Sequence, residues 1–145
     1  MSGKMKQNIF HFILWFIVAV VLVIVFSTEG TIAQWGDNRT KTVLVAALFL
    51  FGFSGDAVLR IIFSKKRVPT DERDKYIQNK ALAAGYVITL IYIFILAISI
   101  YTKYENNGMV PVAWIWFIAY SLVIIANLSV SAASVYQYWK SDLNG

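Results

Sequence analysis

The chain has no cysteine and a single histidine, His11. The first absence removes disulfides, thiolate nucleophiles and cysteine-ligated metals together, and with them the thiol oxidoreductases of membranes. The second leaves no pair of imidazoles from which to build a metal site. Charge is scarce as well: 14% of residues are Asp, Glu, Lys or Arg, where a soluble domain carries about 25%. Proline occurs twice, at Pro69 and Pro111, so the strongest breaks of backbone fall between apolar runs and not inside them.

Hydrophobic residues make up 59% of the 145. They gather in four runs, each near the roughly 20 residues that cross a hydrocarbon core as helix. The chain reads as an all-α polytopic membrane protein, four transmembrane helices in one bundle, a single domain over 1–145. The spans are expected at about 8–27, 42–63, 81–102 and 112–138, with no room for a separate soluble domain. The first run is preceded by Lys4 and Lys6, extends from Ile9 to Phe26 and lacks a small-x-small cleavage site. It is therefore expected to be kept as a helix.

Basic residues are distributed unevenly. Lys4, Lys6, Arg60, Lys65, Lys66, Arg67, Arg73, Lys75, Lys80 and Lys140 fall on one side of this layout, and Arg39, Lys41 and Lys103 on the other. The positive-inside rule then places both termini in the cytoplasm. Topology and anionic lipid account for the net charge of +5, so no nucleic-acid partner is expected.

Between the second and third runs lies a polar block, Pro69 to Lys80, that passes without a break into the apolar segment Ala81 to Tyr101. Thr70 is suited to cap a helix beginning at Thr70 or Asp71, with Asp71 and Glu72 in the first turn, where the macrodipole favours anions. A helix from Asp71 to about Tyr104 measures roughly 50 Å against an apolar core of about 30 Å. About three turns of it must project into the cytoplasm. On those turns Arg73, Ile77, Lys80, Ala81 and Ala84 are expected to meet protein, whereas Asp71, Lys75, Gln78 and Asn79 face water. Asp71, Glu72 and Asp74, interleaved with Arg73 and Lys75, read as a solvated ion-pair network and not as a divalent metal site.

The second run is interrupted by Phe51-Gly52-Phe53-Ser54-Gly55-Asp56, glycines that allow close contact or a bend. Asp56 precedes Arg60 by one helical turn, the i to i+4 order that lets acid and base pair. An ion pair anchored at the interface is one reading of Asp56, and proton or cation handling is the other, since an intramembrane carboxylate invites a functional hypothesis. On the fourth run Trp116, Tyr120, Asn127, Ser131, Ser134 and Tyr138 form a stripe that should face other helices, as packing contacts or as the lining of a polar path. His11 reads as an interfacial side chain. Terminal Trp and Tyr residues read as interface anchors in preference to a cage for a quaternary ammonium ligand.

The element Asp71-Glu72-Arg73-x-x-x-Ile77-x-x-Lys80-Ala81, following two apolar segments and leading into a third, resembles a family of small prokaryotic multi-pass membrane proteins. These carry Asp-Glu-Arg-x-x-x-Ile-x-x-Lys/Arg-Ala between helices two and three. The resemblance implies a prokaryotic plasma-membrane protein and brings no activity, substrate or catalytic residue with it.

Two functional expectations follow. One is an accessory protein without enzyme activity, whose projecting helix, through Asp71, Glu72, Arg73, Ile77 and Lys80, binds a second copy or another membrane or cytoplasmic protein. The other is a small dimeric carrier or permeation protein that uses Asp56, Arg60 and the stripe of Asn127, Ser131 and Ser134. Neither needs a cofactor, a metal or a catalytic residue, and an enzyme would show His, Asp or Glu clustered at a membrane face.

Overall fold

The computed structural model describes residues 3–27, 39–65, 71–106 and 108–143, with backbone alone at 64 and 65. The described residues form four α-helices and no strand: α1 Gly3–Ser27, α2 Arg39–Lys65, α3 Glu72–Tyr104 and α4 Ala113–Leu143. All four are long and apolar enough to cross a membrane. They pack in the series α2, α1, α4, α3, so that α1 and α4 are central and α2 and α3 flank them.

Three helices run past their expected spans. α1 begins at Gly3 and not at Asn8, α2 takes in Arg39, Thr40 and Lys41, and α4 continues beyond Tyr138 to Leu143. Apolarity marks where lipid ends, but a helix stops only where its backbone ladder does, and no proline or glycine breaks these polar ends. Most of the expected outer loop, residues 28–38, lies outside the described residues, as do Thr70 and Pro69.

α3 has 33 residues, a rise of roughly 50 Å. Its cap is Asp71, whose side chain accepts from the Asp74 backbone N–H at 2.7 Å. The glycines of α2 permit close approach and do not interrupt the helix. A Cβ at Gly52 would touch Trp15 and Val18 at 3.4 Å, and one at Gly55 would press on Leu14 at 3.0 Å. Gly85 does the same for α3 and α4, since a Cβ there would collide with the Val130 side chain and press on Ser129 Oγ. Small residues at such crossings are how helices pack when lipid removes the usual hydrophobic drive.

The apolar core joins Trp15, Val18 and Leu22 of α1 to Val45 and Phe49 of α2 and to Ala113 and Ile124 of α4. Tyr120 lies over Phe49 with ring centroids 4.1 Å apart. At the loop between α3 and α4, Trp114 Nε1 donates to the Tyr104 hydroxyl at 2.8 Å, and Gly108 takes φ +64°. Outward-facing Val87, Ile91, Phe94, Ile95 and Ile98 of α3 are exposed, as suits side chains that meet lipid.

Candidate functional site: a polar cavity among four helices

α1 starts, α2 ends, α3 starts and α4 ends at one extremity of the molecule, here termed the terminal end. There a cavity of about 470 Å³ opens among all four helices. Ten of its thirteen described lining residues are polar: Lys4, Gln7, Asn8 and His11 from α1, Asp56 and Arg60 from α2, Gln78 from α3, and Asn127, Ser131 and Ser134 from α4. On the far side it is backed by the apolar core, because Trp15 lies one turn beyond His11, Ile124 one turn beyond Asn127, and Phe49 two turns beyond Asp56.

The five intramembrane polar residues singled out from the sequence, Asp56, Arg60, Asn127, Ser131 and Ser134, therefore line one space. Arg60 Nε donates to Asp56 Oδ2 at 2.8 Å. The other carboxylate oxygen, Oδ1, lies 2.5 Å from His11 Nδ1. That contact is one of proximity: Oδ1 is buried and makes no directed hydrogen bond. Asp56 and His11 side chains are 14% and 13% exposed, whereas Arg60 is 70% exposed and reaches water. His11 is thus more than an interfacial side chain, since the carboxylate that α1 lacks is supplied by α2.

Asn127 turns its amide N–H to the Val123 carbonyl at 2.8 Å, leaving its side-chain oxygen as an acceptor. Asn8 does likewise to the Lys4 carbonyl at 3.0 Å. Of the fourth-helix stripe, Ser131, Ser134 and Tyr138 are buried and Tyr120 and Asn127 partly so. Trp116 departs from it: at 55% exposed it lies outward, stacked on Tyr120. A side chain of that size at the outer end of α4 is accommodated by lipid or headgroups more readily than between helices.

The projecting turns of α3 differ from expectation in register. The buried side is Asp74, Ile77, Ala81 and Gly85. Arg73 and Lys80 are exposed: Arg73 pairs with Asp142 at 2.6 Å and Lys80 stands over the Tyr76 ring at 4.5 Å. Asp71 is the cap and Glu72 is exposed in the first turn. Asp74 is not part of a solvated network. It is buried, at 7% exposed, and accepts from the Tyr138 hydroxyl at 2.6 Å. Ile77 is 3% exposed within the single chain, and Gln78, expected in water, lines the cavity.

Lys4, Gln7, Asn8 and His11 were not recognised as a set from the sequence. Their spacing of i, i+3, i+4 and i+7 is one helix face, legible once the helix is taken to begin at Gly3 and not at the lipid boundary. Among the described residues no three His, Asp or Glu side chains cluster as a metal site would require.

No curated protein matches the chain, and no solved structure does. A family model described as a predicted membrane protein, DUF2178, matches residues 6–137. That stretch holds most of each helix and every cavity residue named above except Lys4. The chain belongs to this family of predicted membrane proteins.

Proposed function

We propose that the protein is a carrier for a small polar solute, with the cavity as its binding site. The observation that carries this reading is the convergence of polar side chains from all four helices on one space of about 470 Å³. Polar groups inside a bundle are costly to bury and are kept where they meet a partner or a path. A volume of this size falls within the roughly 300–1,000 Å³ of small-molecule sites.

The excess of basic residues at the terminal end supports a cytoplasmic placement, in which the site opens inward and is backed outward by Trp15, Phe49 and Ile124. One chain supplies lining residues from all four helices. Arg60 holds Asp56 through Oδ2, and His11 stands beside Oδ1. An interaction surface on the projecting turns has weaker support, because Ile77, the residue that most needed a cover, is buried by the chain itself.

The chain lacks cysteine, so Ser131→Cys gives a single reporter in the cavity. A charged thiol reagent should modify it from the cytoplasmic face of inverted vesicles and, more slowly, from outside intact cells, as alternating access requires. Ile95→Cys, towards lipid, should resist both. No reaction from the cytoplasmic face would refute an aqueous site, and reaction from that face alone would make the protein a receptor instead of a carrier.

A further inference from the structure

The chemistry of the solute can be read from the hydrogen-bonding groups of the wall, an inference that rests on the cavity being a binding site. Carboxamides converge there from three helices: Gln7 and Asn8 of α1, Gln78 of α3 and Asn127 of α4. Each holds an acceptor oxygen and a donor N–H side by side. In two of them the donor is turned into its own helix, Asn8 Nδ2 donating to the Lys4 carbonyl at 3.0 Å and Asn127 Nδ2 to the Val123 carbonyl at 2.8 Å. Their oxygens remain as acceptors on two walls of one space. A third unfilled acceptor, on α2, is Asp56 Oδ1, which is buried and has no hydrogen-bond donor among the described residues. Such walls call for a solute that donates.

Charge narrows the class. An anion would meet the Asp56 carboxylate, and a negative oxygen held out of water without a donor repels a second one strongly. A cation would meet Lys4 and Arg60, which line the same space. Asp56 already has a counterion besides, since Arg60 Nε donates to its Oδ2 at 2.8 Å. Neither step depends on the charge of His11. The group that suits every wall is an uncharged donor, and a hydroxyl is one that also accepts. A run of neighbouring hydroxyls therefore matches a wall of carboxamides. The apolar lining residues, Leu82, Ala126 and Val130, are aliphatic, and no Phe, Tyr or Trp lines the cavity among the described residues. A flat sugar ring would find no aromatic face to lie on, whereas a flexible chain needs none.

We infer that the solute is a neutral open-chain polyol, held through its hydroxyls by the side-chain oxygens of Asn8 and Asn127 and by the amides of Gln7 and Gln78. A space of about 470 Å³ has room for a sugar alcohol with all its hydroxyls.

The test uses the full chain carrying Ser131→Cys, in inverted vesicles, and asks which solute shields the thiol from a charged reagent. Three probes share one carbon skeleton: sorbitol, which is neutral, gluconate, which ends in a carboxylate, and glucamine, which ends in an ammonium. Sorbitol should protect the thiol and the two charged probes should not. Lys75→Cys, exposed and outside the cavity, should react at the same rate with or without sorbitol. Asn8→Ala and Asn127→Ala should each raise the half-protecting concentration of sorbitol by about three- to tenfold, the effect of losing one hydrogen bond. Asn8 lies outside the apolar core, so its variant keeps the test decisive should Asn127→Ala fold poorly. Equal protection by all three probes, or stronger protection by gluconate or glucamine, overturns the inference. Sorbitol protection that both alanine variants leave unchanged overturns it too. A thiol that reacts but that no probe protects refutes the polyol and leaves the cavity reading standing, whereas an unreactive thiol removes both.

Discussion

Tyr138 and Asp74 share a buried hydrogen bond of 2.6 Å between the last turns of α4 and the first turn of α3. Beside it, on the surface, Arg73 meets Asp142 at 2.6 Å. The buried bond and the exposed ion pair fasten the same two helix ends, with different strengths. A charged acceptor taken out of water holds its donor firmly, while an ion pair in water contributes little.

Tyr138→Phe should therefore destabilise the protein by about 1–3 kcal/mol, because the Asp74 carboxylate is left buried without its donor. Asp142→Ala should cost at most about 1 kcal/mol. Thermal unfolding in detergent compares the two, and an Asp142 variant as damaging as Tyr138→Phe would reverse this ranking.

The Asp56 cluster predicts a second asymmetry. In double-mutant cycles the coupling of Asp56 with His11, both largely buried, should exceed that of Asp56 with Arg60, which is 70% exposed. About 1–2 kcal/mol is expected for the first and about 0.5 kcal/mol for the second. Equal couplings would mean that Arg60 alone anchors the carboxylate.

Ile77→Asp should expose the first turns of α3, since it places a charge where a side chain 3% exposed now packs. Asn79→Asp, on the exposed side, should alter little. Hydrogen exchange of the Arg73 to Lys80 amides reads the difference, and equal protection in the two variants would show that these turns have no packed side.

Gly85→Val should separate α3 from α4, because even a Cβ there collides with the Val130 side chain and lies 3.2 Å from the Val130 backbone N. Gly108→Ala meets no neighbour, but its φ of +64° makes the cost about 1 kcal/mol. Gly85→Val should be the more damaging by several-fold in unfolding rate. Parity would show that α3 and α4 re-pack freely.

Orientation is tested at the two ends of α3. An impermeant thiol reagent on intact cells should label Glu105→Cys and spare Lys75→Cys. The opposite pattern would invert the topology and turn the cavity to the outside.

The four helices were legible because hydropathy is local: a run of Ile, Val, Leu and Phe announces a span without knowledge of its neighbours. The extent of α3, from Glu72 to Tyr104, was legible for another local reason: an acidic first turn follows Pro69, and the polar block passes without a break into the apolar run. What each polar residue touches was less so. Arg73 and Asp74 flank Ile77 at i−4 and i−3, and a helical wheel allows either to share its buried side. Asp74 wins because a tyrosine hydroxyl on α4 satisfies it, which only the tertiary structure reveals. The Asp56 and Arg60 pair lies within one helix and could be read from spacing, whereas the Asp56 and His11 pair joins two helices and could not. Asn127, Ser131 and Ser134 were visible as a stripe, but the space they border depends on α1 beginning early enough to bring Lys4, Gln7 and Asn8 to it.

The packing order α2, α1, α4, α3 sets the two flanking helices apart, yet they are consecutive in the chain. From Lys65 to Asp71 there are six residue steps, a tether of at most about 20 Å when taut. The mouth of the cavity is thus leashed. The bound on how far α2 and α3 can separate is therefore tightest at this end, since no such short connection joins these two helices at the opposite extremity. Lengthening the tether by a few glycines would relax that bound without touching any residue that lines the cavity, so chain connectivity itself limits how wide the terminal end can gape.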